Sequence, residues 1–285
     1  MHDTTRQCLI LAAGEYYPST GPALRALAES GGVNPHDDAR DAGPLIIAAD
    51  GGFDHAHALG LPVDLLIGDF DSIHDRPHAG ERMVRLPSQK DDSDALAAVK
   101  AGWARGARDF HIFGSLGGRI DHTIANIQMT AMLAHCDASC YLYGDDAVVT
   151  AICDAALHLS AVDECPPGRS RMVSVFSHSD ISRDVNESGM AYTLHHATMD
   201  NGTVRGLSNE LVDDQAATID VHDGTLLVTF PPRAVPVSVL RYRTHGGAPG
   251  ALNTHVSDAL VHRPEPSRRH DGAQVRDTER NEATI

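Results

Sequence analysis

Leu45-Ile-Ile-Ala-Ala-Asp-Gly-Gly-Phe-Asp-His-Ala-His-Ala-Leu59 decides the fold class. Its five leading apolar residues are too short a run for a helix and read as a buried strand. Asp50-Gly51-Gly52 stops that strand, and Phe53 to Leu59 continues with helical spacing. The same alternation extends on both sides. Upstream, Cys8-Leu-Ile-Leu-Ala-Ala13 is a strand ending at Gly14. Downstream, Val63-Asp-Leu-Leu-Ile67 leads into Gly68-Asp69, and Asp92 to Ala104 is helical. Asp109 to Phe113 is another strand, and Ile120 to Leu133 a helix with an apolar face of Ile124, Ile127, Ala131 and Met132. Strands alternating with helices predict a mainly parallel sheet with helical crossovers, a three-layer α/β domain over residues 1–145.

The rhythm then changes. Ala147–Ile152, Met172–Phe176, Ala191–Leu194, Ala217–Val221 and Thr225–Phe230 read as short strands separated by Gly, Pro, Asn and Asp clusters. That pattern predicts an antiparallel β-sandwich over 146–243. Residues 244–285 are rich in Pro, Arg, His, Gly and Asp without periodicity and are expected to form a disordered tail. Glu29 to Gly43 is expected to be a surface loop.

Composition narrows the function. The 285 residues include 39 Asp and Glu against 23 Lys and Arg, a formal net charge of −16. Such a field repels nucleic-acid backbones and anionic membranes, so neither is expected as a partner. An anionic nucleotide is still accessible when a divalent cation stands between carboxylate and phosphate. No apolar run reaches the roughly 18 residues of a membrane span, and the N-terminus lacks the pattern of a secretory signal. The five cysteines contain no C-x-x-C pair. Reduced thiols in a cytoplasmic protein are the expectation, ahead of a zinc site at His135, Cys136 and Cys140.

The chemistry-bearing residues collect where predicted strands end. Asp50-Gly51-Gly52, Gly68-Asp69-Phe70-Asp71-Ser72, Lys90-Asp91-Asp92-Ser93-Asp94 and Gly117-Gly118-Arg119-Ile120-Asp121-His122 all fall in strand-to-helix loops. In a parallel sheet those loops share one edge, where ligands bind. Taken singly, Asp92 or Asp121 could be a helix N-cap and Gly51-Gly52 a tight turn. Asp69 and Asp71 are harder to explain so, because adjacent acids repel unless a cation or donor compensates. Lys90 and Arg119 suit phosphate oxygens, or salt bridges to these acids. There is no G-x-x-x-x-G-K-[ST] and no G-x-G-x-x-G opening a helix. A Mg²⁺–nucleotide site is therefore expected, with phosphate contacts from metal, helix N-termini, Lys90 and Arg119.

Asp50-Gly-Gly, Leu66-Ile-Gly-Asp-Phe-Asp-Ser-Ile73, Lys90-Asp-Asp-Ser-Asp94, Gly117-Gly-Arg-Ile-Asp-His122 with Ala125-Asn126, Gly189-Met-Ala-Tyr-Thr-Leu194 and Gly206-Leu-Ser-Asn-Glu210 together resemble the thiamine pyrophosphokinase family, in its order, over roughly residues 8–235. The resemblance implies an ATP-binding α/β domain, a thiamine-binding β-sandwich, a homodimer and Mg²⁺ dependence. It implies metal ligation by Asp69, Asp71, Asp91 and Asp94, and ATP contacts from Asp50, Gly51, Gly52, Asp69, Lys90, Gly117, Gly118, Arg119 and His122. Catalytic roles fall on Asp71, Asp94, Arg119 and Asp121, and thiamine contacts on Ser208 and Asn209. Ser93 stands where threonine is usual, and Leu207 where a small polar residue is common. Two other readings remain open at this level. Asp69-Phe-Asp71 after a strand also resembles the nucleophile motif of haloacid-dehalogenase phosphatases, and a non-catalytic thiamine-binding protein would carry the same β half.

Overall fold

The computed structural model describes residues 6–30, 43–75, 82–163 and 171–255. Six parallel strands form its N-terminal half: β1 (Arg6–Leu11), β2 (Leu45–Ala49), β3 (Leu65–Gly68), β4 (Met83–Arg85), β5 (Ala107–Phe113) and β6 (Ser139–Tyr143). Their order is β6-β5-β1-β2-β3-β4, so the chain starts in the middle and winds both ways. The central strands are buried on both faces, as their unbroken apolar runs require.

The sheet does not stop at residue 145. A tight connection turns β6 into β7 (Val148–Cys153), which pairs antiparallel to it. The ladder continues through β14 (Thr225–Phe230), β9 (Met172–Ser177) and the short β12 (Asn209–Glu210). One ten-stranded sheet therefore runs through both halves. A second, antiparallel sheet of five strands has the order β11-β10-β13-β8-β15. Its members are β8 (Ala155–Leu159), β10 (Ile181–Ser188), β11 (Leu194–Asp200), β13 (Ala217–Asp223) and β15 (Pro236–Arg241).

Alternation of side chains across the long sheet makes two cores. Cys8, Ile10, Ile47, Ala49, Ile67 and Ile112 face α3 (Asp94–Trp103) and α4 (Ile120–Ala134). Leu9, Leu11, Ile46 and Phe113 face α1 (Gly21–Glu29) and α2 (Gly52–Ala58), and the same core runs on under the five-stranded sheet. This is the expected three-layer α/β half followed by a sandwich, sharing one sheet.

Several local expectations are corrected. Ser93, not Asp92, caps α3, its hydroxyl accepting from Leu96 N–H at 3.2 Å; Asp92 instead pairs with Lys100 at 2.7 Å. Helix α4 keeps most of its expected face, with Ala131 buried and Ile127 and Met132 packed on the core, but Ile124 is half exposed while Asn126 is buried and its amide donates to Ser115 O at 2.7 Å. At that turn a hydrogen-bonded amide takes the inward position in place of the isoleucine. Residues 191–193 are not in a strand, because Asn209 takes both Tyr192 N–H and Tyr192 C=O. Residues 244–255, expected to be disordered, form no helix or strand yet are fastened down. His245 and Gly246 N–H donate to the Asp137 carboxylate, Pro249 is buried, and Leu252 packs on the α3–α4 core. The rest of the tail, 256–285, and most of the loop 29–43 lie outside the described residues.

Candidate active site

Strands β2 and β3 end side by side, which brings their acidic turns together. Asp50 adopts φ 48°, a left-handed conformation tolerated best by Asp and Asn among side-chain-bearing residues. Its N–H donates to Ile67 O at 2.8 Å, tying the first turn to β3. A Cβ at Gly52 would sit 2.0 Å from the Leu11 carbonyl oxygen, so α2 can start this close to β1 only on glycine. Gly51 is also tightly placed, against Ala13 and Ser72.

Asp50, Asp69 and Asp71 each present a carboxylate oxygen within 4.8 Å of the others. Asp50 is buried, and its Oδ1 has no hydrogen-bond partner. Asp69 Oδ1 accepts weakly from Asp71 N–H at 3.4 Å, and Asp71 Oδ1 accepts from the Ser72 hydroxyl at 2.8 Å. Three carboxylates this close, one with a buried orphan oxygen, are short of positive charge. A hard divalent cation with oxygen ligands and residual waters supplies it, so the donor set fits Mg²⁺.

Asp94, the first residue of α3, faces this group. Burial raises its pKa above the ordinary carboxylate range; Lys90, with Nζ 3.0 Å from Oδ1, pulls it down, and Asp50 and Asp69 push it up. The Lys90 side chain is itself largely buried, a cation held for use inside the cleft. Asp91 is exposed and outside the carboxylate group, and Asp50, expected only as an ATP contact, stands inside it.

The fourth loop is arranged differently. Arg119 and Asp121 are exposed and paired to each other, Nη2 to Oδ2 at 2.6 Å. The hydrogen bond from Arg119 holds Asp121 at a pKa of about 2. His122 is exposed, with its N–H on Asp121 Oδ1 at 3.0 Å. Gly117 (φ 83°) and Gly118 (φ 62°) form the left-handed turn before α4. A Cβ on Gly117 would lie 2.3 Å from the Tyr17 hydroxyl and 3.0 Å from Glu15 Oε2. Glu15 and Tyr17, which follow Gly14 at the end of β1, pack against this turn, the Tyr17 hydroxyl donating to Glu15 Oε2 at 2.7 Å.

A second cavity, about 330 Å³, opens in the β-rich half between Glu187, Tyr192, Leu194, Met199, Arg205 and Ser208. Asn209, also on its wall, is buried and fully used. Its Oδ1 accepts from Tyr192 and Glu210 N–H, and its Nδ2 donates to Tyr192 O and Glu187 Oε2. Ser208 is exposed at φ 62° with its N–H on Ser174 Oγ. Glu187 is buried with Oε1 unpartnered, and burial raises its pKa despite the Asn209 bond. The sequence reading did not include it, because the inward positions of β10 are mostly polar and give no apolar alternation to place Glu187.

Comparison with known proteins agrees with both halves. Residues 38–142 match the family described as thiamin pyrophosphokinase, catalytic domain, and residues 164–226 match thiamin pyrophosphokinase, vitamin B1 binding domain, together more than half of the chain. No curated protein sequence matches. Among solved structures, a thiamine pyrophosphokinase from Bacillus subtilis is similar at 20% identity and TM-score 0.64, over 79% of this chain and 99% of that one. One from Geobacillus thermodenitrificans aligns at 21% identity and TM-score 0.61, over 81% and 98%. One from Candida albicans aligns at 13% identity and TM-score 0.61, over 80% and 89%. At these identities the structural likeness speaks for the fold alone.

Proposed function

The chain belongs to the thiamin pyrophosphokinase family, and from that premise we propose how its own residues carry out ATP-dependent pyrophosphoryl transfer to thiamine, giving thiamine diphosphate and AMP. The observation that carries the reading is the convergence of Asp50, Asp69 and Asp71, with Lys90 and Asp94 beside them, in a chain that also holds a cavity at Ser208-Asn209. The phosphatase and the non-catalytic readings are not favoured, because both domains of the kinase family are present in one chain.

In this reading Asp50, Asp69 and Asp71 hold Mg²⁺, which when bound neutralises phosphate charge and fixes the geometry of the transferring group. Lys90 takes a phosphate oxygen in exchange for Asp94. Arg119, exposed at the start of α4, turns from Asp121 onto the triphosphate, and His122 with the Gly117-Gly118 turn borders the nucleotide. Asp94 then accepts the proton of the thiamine hydroxyl as that oxygen attacks the β-phosphorus and AMP leaves. Its raised pKa makes it a better proton acceptor than an ordinary carboxylate. Positioning of the two substrates supplies most of the acceleration.

The cavity of the β-rich half takes thiamine. Its buried carboxylate, Glu187, complements the permanent positive charge of the thiazolium ring, and Ser208 offers a hydroxyl at the rim. Tyr192, Val204 and Leu207 are strongly exposed beside it, which supports a homodimer in which a second copy covers them. Among the described residues no helix is long and apolar enough to cross a membrane. A cytoplasmic location is part of the same proposal. The test is incubation with ATP, Mg²⁺ and thiamine, followed by product identification. Equal amounts of thiamine diphosphate and AMP are expected; ADP, or phosphate without thiamine consumption, overturns the reading.

A further inference from the structure

We propose that the protein carries a second metal site, unrelated to catalysis, in which Cys153, Asp154 and His245 bind a zinc-class transition-metal ion and His135, which stands outside that close group, turns in as the fourth donor. Cys153 and Asp154 form the turn between β7 and β8, His135 closes the C-terminus of α4, and His245 lies in the segment after β15. Sequence spacing gives no hint of the set, because its members come from three separate parts of the chain.

The geometry is that of a ligand group. Donor atoms of Cys153, Asp154 and His245 all lie within 4.8 Å of one another. His245 Nε2 is 3.5 Å from Cys153 Sγ and 3.3 Å from Asp154 Oδ2. The second distance is long for a charge-assisted hydrogen bond, which closes to ~2.7–2.9 Å. Both match the edges of a tetrahedron around zinc, roughly 3.3–3.7 Å for bonds of ~2.0–2.3 Å.

The surrounding contacts prepare each donor. Asp154 is buried, and its Oδ1 accepts from Gly224 N–H at 2.8 Å, leaving Oδ2 toward the group. His245 is placed by its own N–H on Asp137 at 3.1 Å. His135 Nδ1 sits 2.8 Å from the Ala131 carbonyl, which can only accept, so the ring proton is on Nδ1 and Nε2 keeps its lone pair. Such a carbonyl partner is what orients metal-binding imidazoles. That Nε2 is 3.3 Å from Thr225 Oγ1, a neighbour of the Cys153 thiol, and the two imidazole rings are 6.0 Å apart. Arg243 Nη1, 3.5 Å from Asp154 Oδ2, is the cation that metal displaces; its side chain is mostly exposed and free to move.

Charge and softness select the ion. One thiolate and one carboxylate cancel a double positive charge, and the two neutral imidazoles complete four donors. A thiolate with imidazoles favours zinc-class ions over magnesium, so this site and the Asp50–Asp69–Asp71 group do not compete for one metal. Binding releases the Cys153 thiol proton to solvent and ties the 244–255 segment to α4 and the β7–β8 turn.

The test uses untagged full-length protein freed of metal by a chelator, then titrated with Zn²⁺ or Co²⁺. One tightly held equivalent is expected, with a thiolate-to-cobalt charge-transfer band and a higher melting temperature. Cys153→Ser should abolish the band, and His245→Ala should weaken binding by at least ~100-fold, beyond the loss usual for a supporting contact. Cys136→Ser and Asp71→Asn should leave both unchanged. His245 lies outside helices and strands, so its variant is informative even if Cys153→Ser fails to fold. Absence of the band in the wild type, its survival in Cys153→Ser, or full affinity in His245→Ala overturns the site and leaves a hydrogen-bonded cluster only.

Discussion

Glu187 Oε2 lies 3.2 Å from Asn209 Nδ2, while the other oxygen of the same carboxyl, equally buried, has no partner. Burial lifts the pKa of this carboxyl above its ordinary 4.5, and the Asn209 bond only partly opposes it. A raised pKa means that the folded state holds the proton more tightly than the unfolded one. The charge therefore costs stability, and the cost grows as pH rises through the native pKa and vanishes well below 4.5. Glu187→Gln should thus flatten the fall in melting temperature as pH rises above 4.5. It should also raise the KM for thiamine by roughly tenfold or more, the scale of a lost charged contact. Melting curves against pH and initial rates against thiamine check both. An unchanged KM would remove Glu187 from the substrate cavity.

Asp94 gives a prediction for the rate profile. Burial raises its pKa, Lys90 lowers it, and only the deprotonated form can accept a proton. Turnover should therefore rise with pH along a limb placed above the ordinary carboxylate range. Asp94→Asn should remove that limb with a loss of ~10²–10⁴-fold in kcat. In the free enzyme, where Lys90 still pairs with Asp94, Lys90→Gln should move the limb of kcat/KM to higher pH, because the opposing cation is gone. A limb indifferent to Lys90→Gln would assign it to another group.

For Asp71→Asn the expectation splits activity from stability. Removing one of three crowded carboxylates relieves like-charge repulsion, so the melting temperature should hold or rise without metal. Turnover should fall by ~10²-fold or more, since a ligand for the neutralising cation is lost. Near-normal activity at limiting Mg²⁺ would exclude Asp71 from that role.

Gly52 and Gly118 separate two reasons for glycine. A methyl at Gly52 would meet the Leu11 carbonyl oxygen at 2.0 Å, a backbone atom rather than the end of a flexible side chain. Gly52→Ala should therefore cost about 3 kcal/mol or more. At Gly118 nothing lies within 4 Å and only φ 62° disfavours alanine, so the loss should be ~1 kcal/mol. Chemical denaturation of the two variants measures the difference.

These contrasts mark what the sequence could disclose. Leu45-Ile-Ile-Ala-Ala announced its strand because both faces of β2 are covered, and the acidic turns were legible because they follow such strands directly. β10 was invisible: Ile181-Ser-Arg-Asp-Val-Asn-Glu-Ser188 buries Ser182, Val185 and Glu187, and two of those three are polar. β15 begins at a proline and lies at a sheet edge, where alternation is weak. In α4 only Ile124 departs from the apolar stripe, because the polar Asn126 takes the buried position at that turn. Long-range polar pairings such as Glu187–Asn209 and Cys153–His245 leave no local periodicity to read.

The last prediction concerns how two copies share the work. The carboxylate group and the cavity at Ser208-Asn209 belong to different halves of the chain, and exposed Tyr192 and Leu207 line the cavity, with exposed Val204 next in the chain to its wall. If a second copy covers that rim, each site can combine the acids of one chain with the cavity of its partner, and two-fold symmetry makes two such sites. Asp71→Asn and Asn209→Ala, each inactive alone, then complement when co-expressed. A mixed dimer would hold one doubly damaged site and one intact site. Random assembly makes about half the dimers mixed, so roughly a quarter of the wild-type activity should return. Asn209 makes four hydrogen bonds in the cavity wall, so its variant must first be shown to dimerise. Sites built within one chain carry a lesion in every copy, and co-expression would then restore nothing.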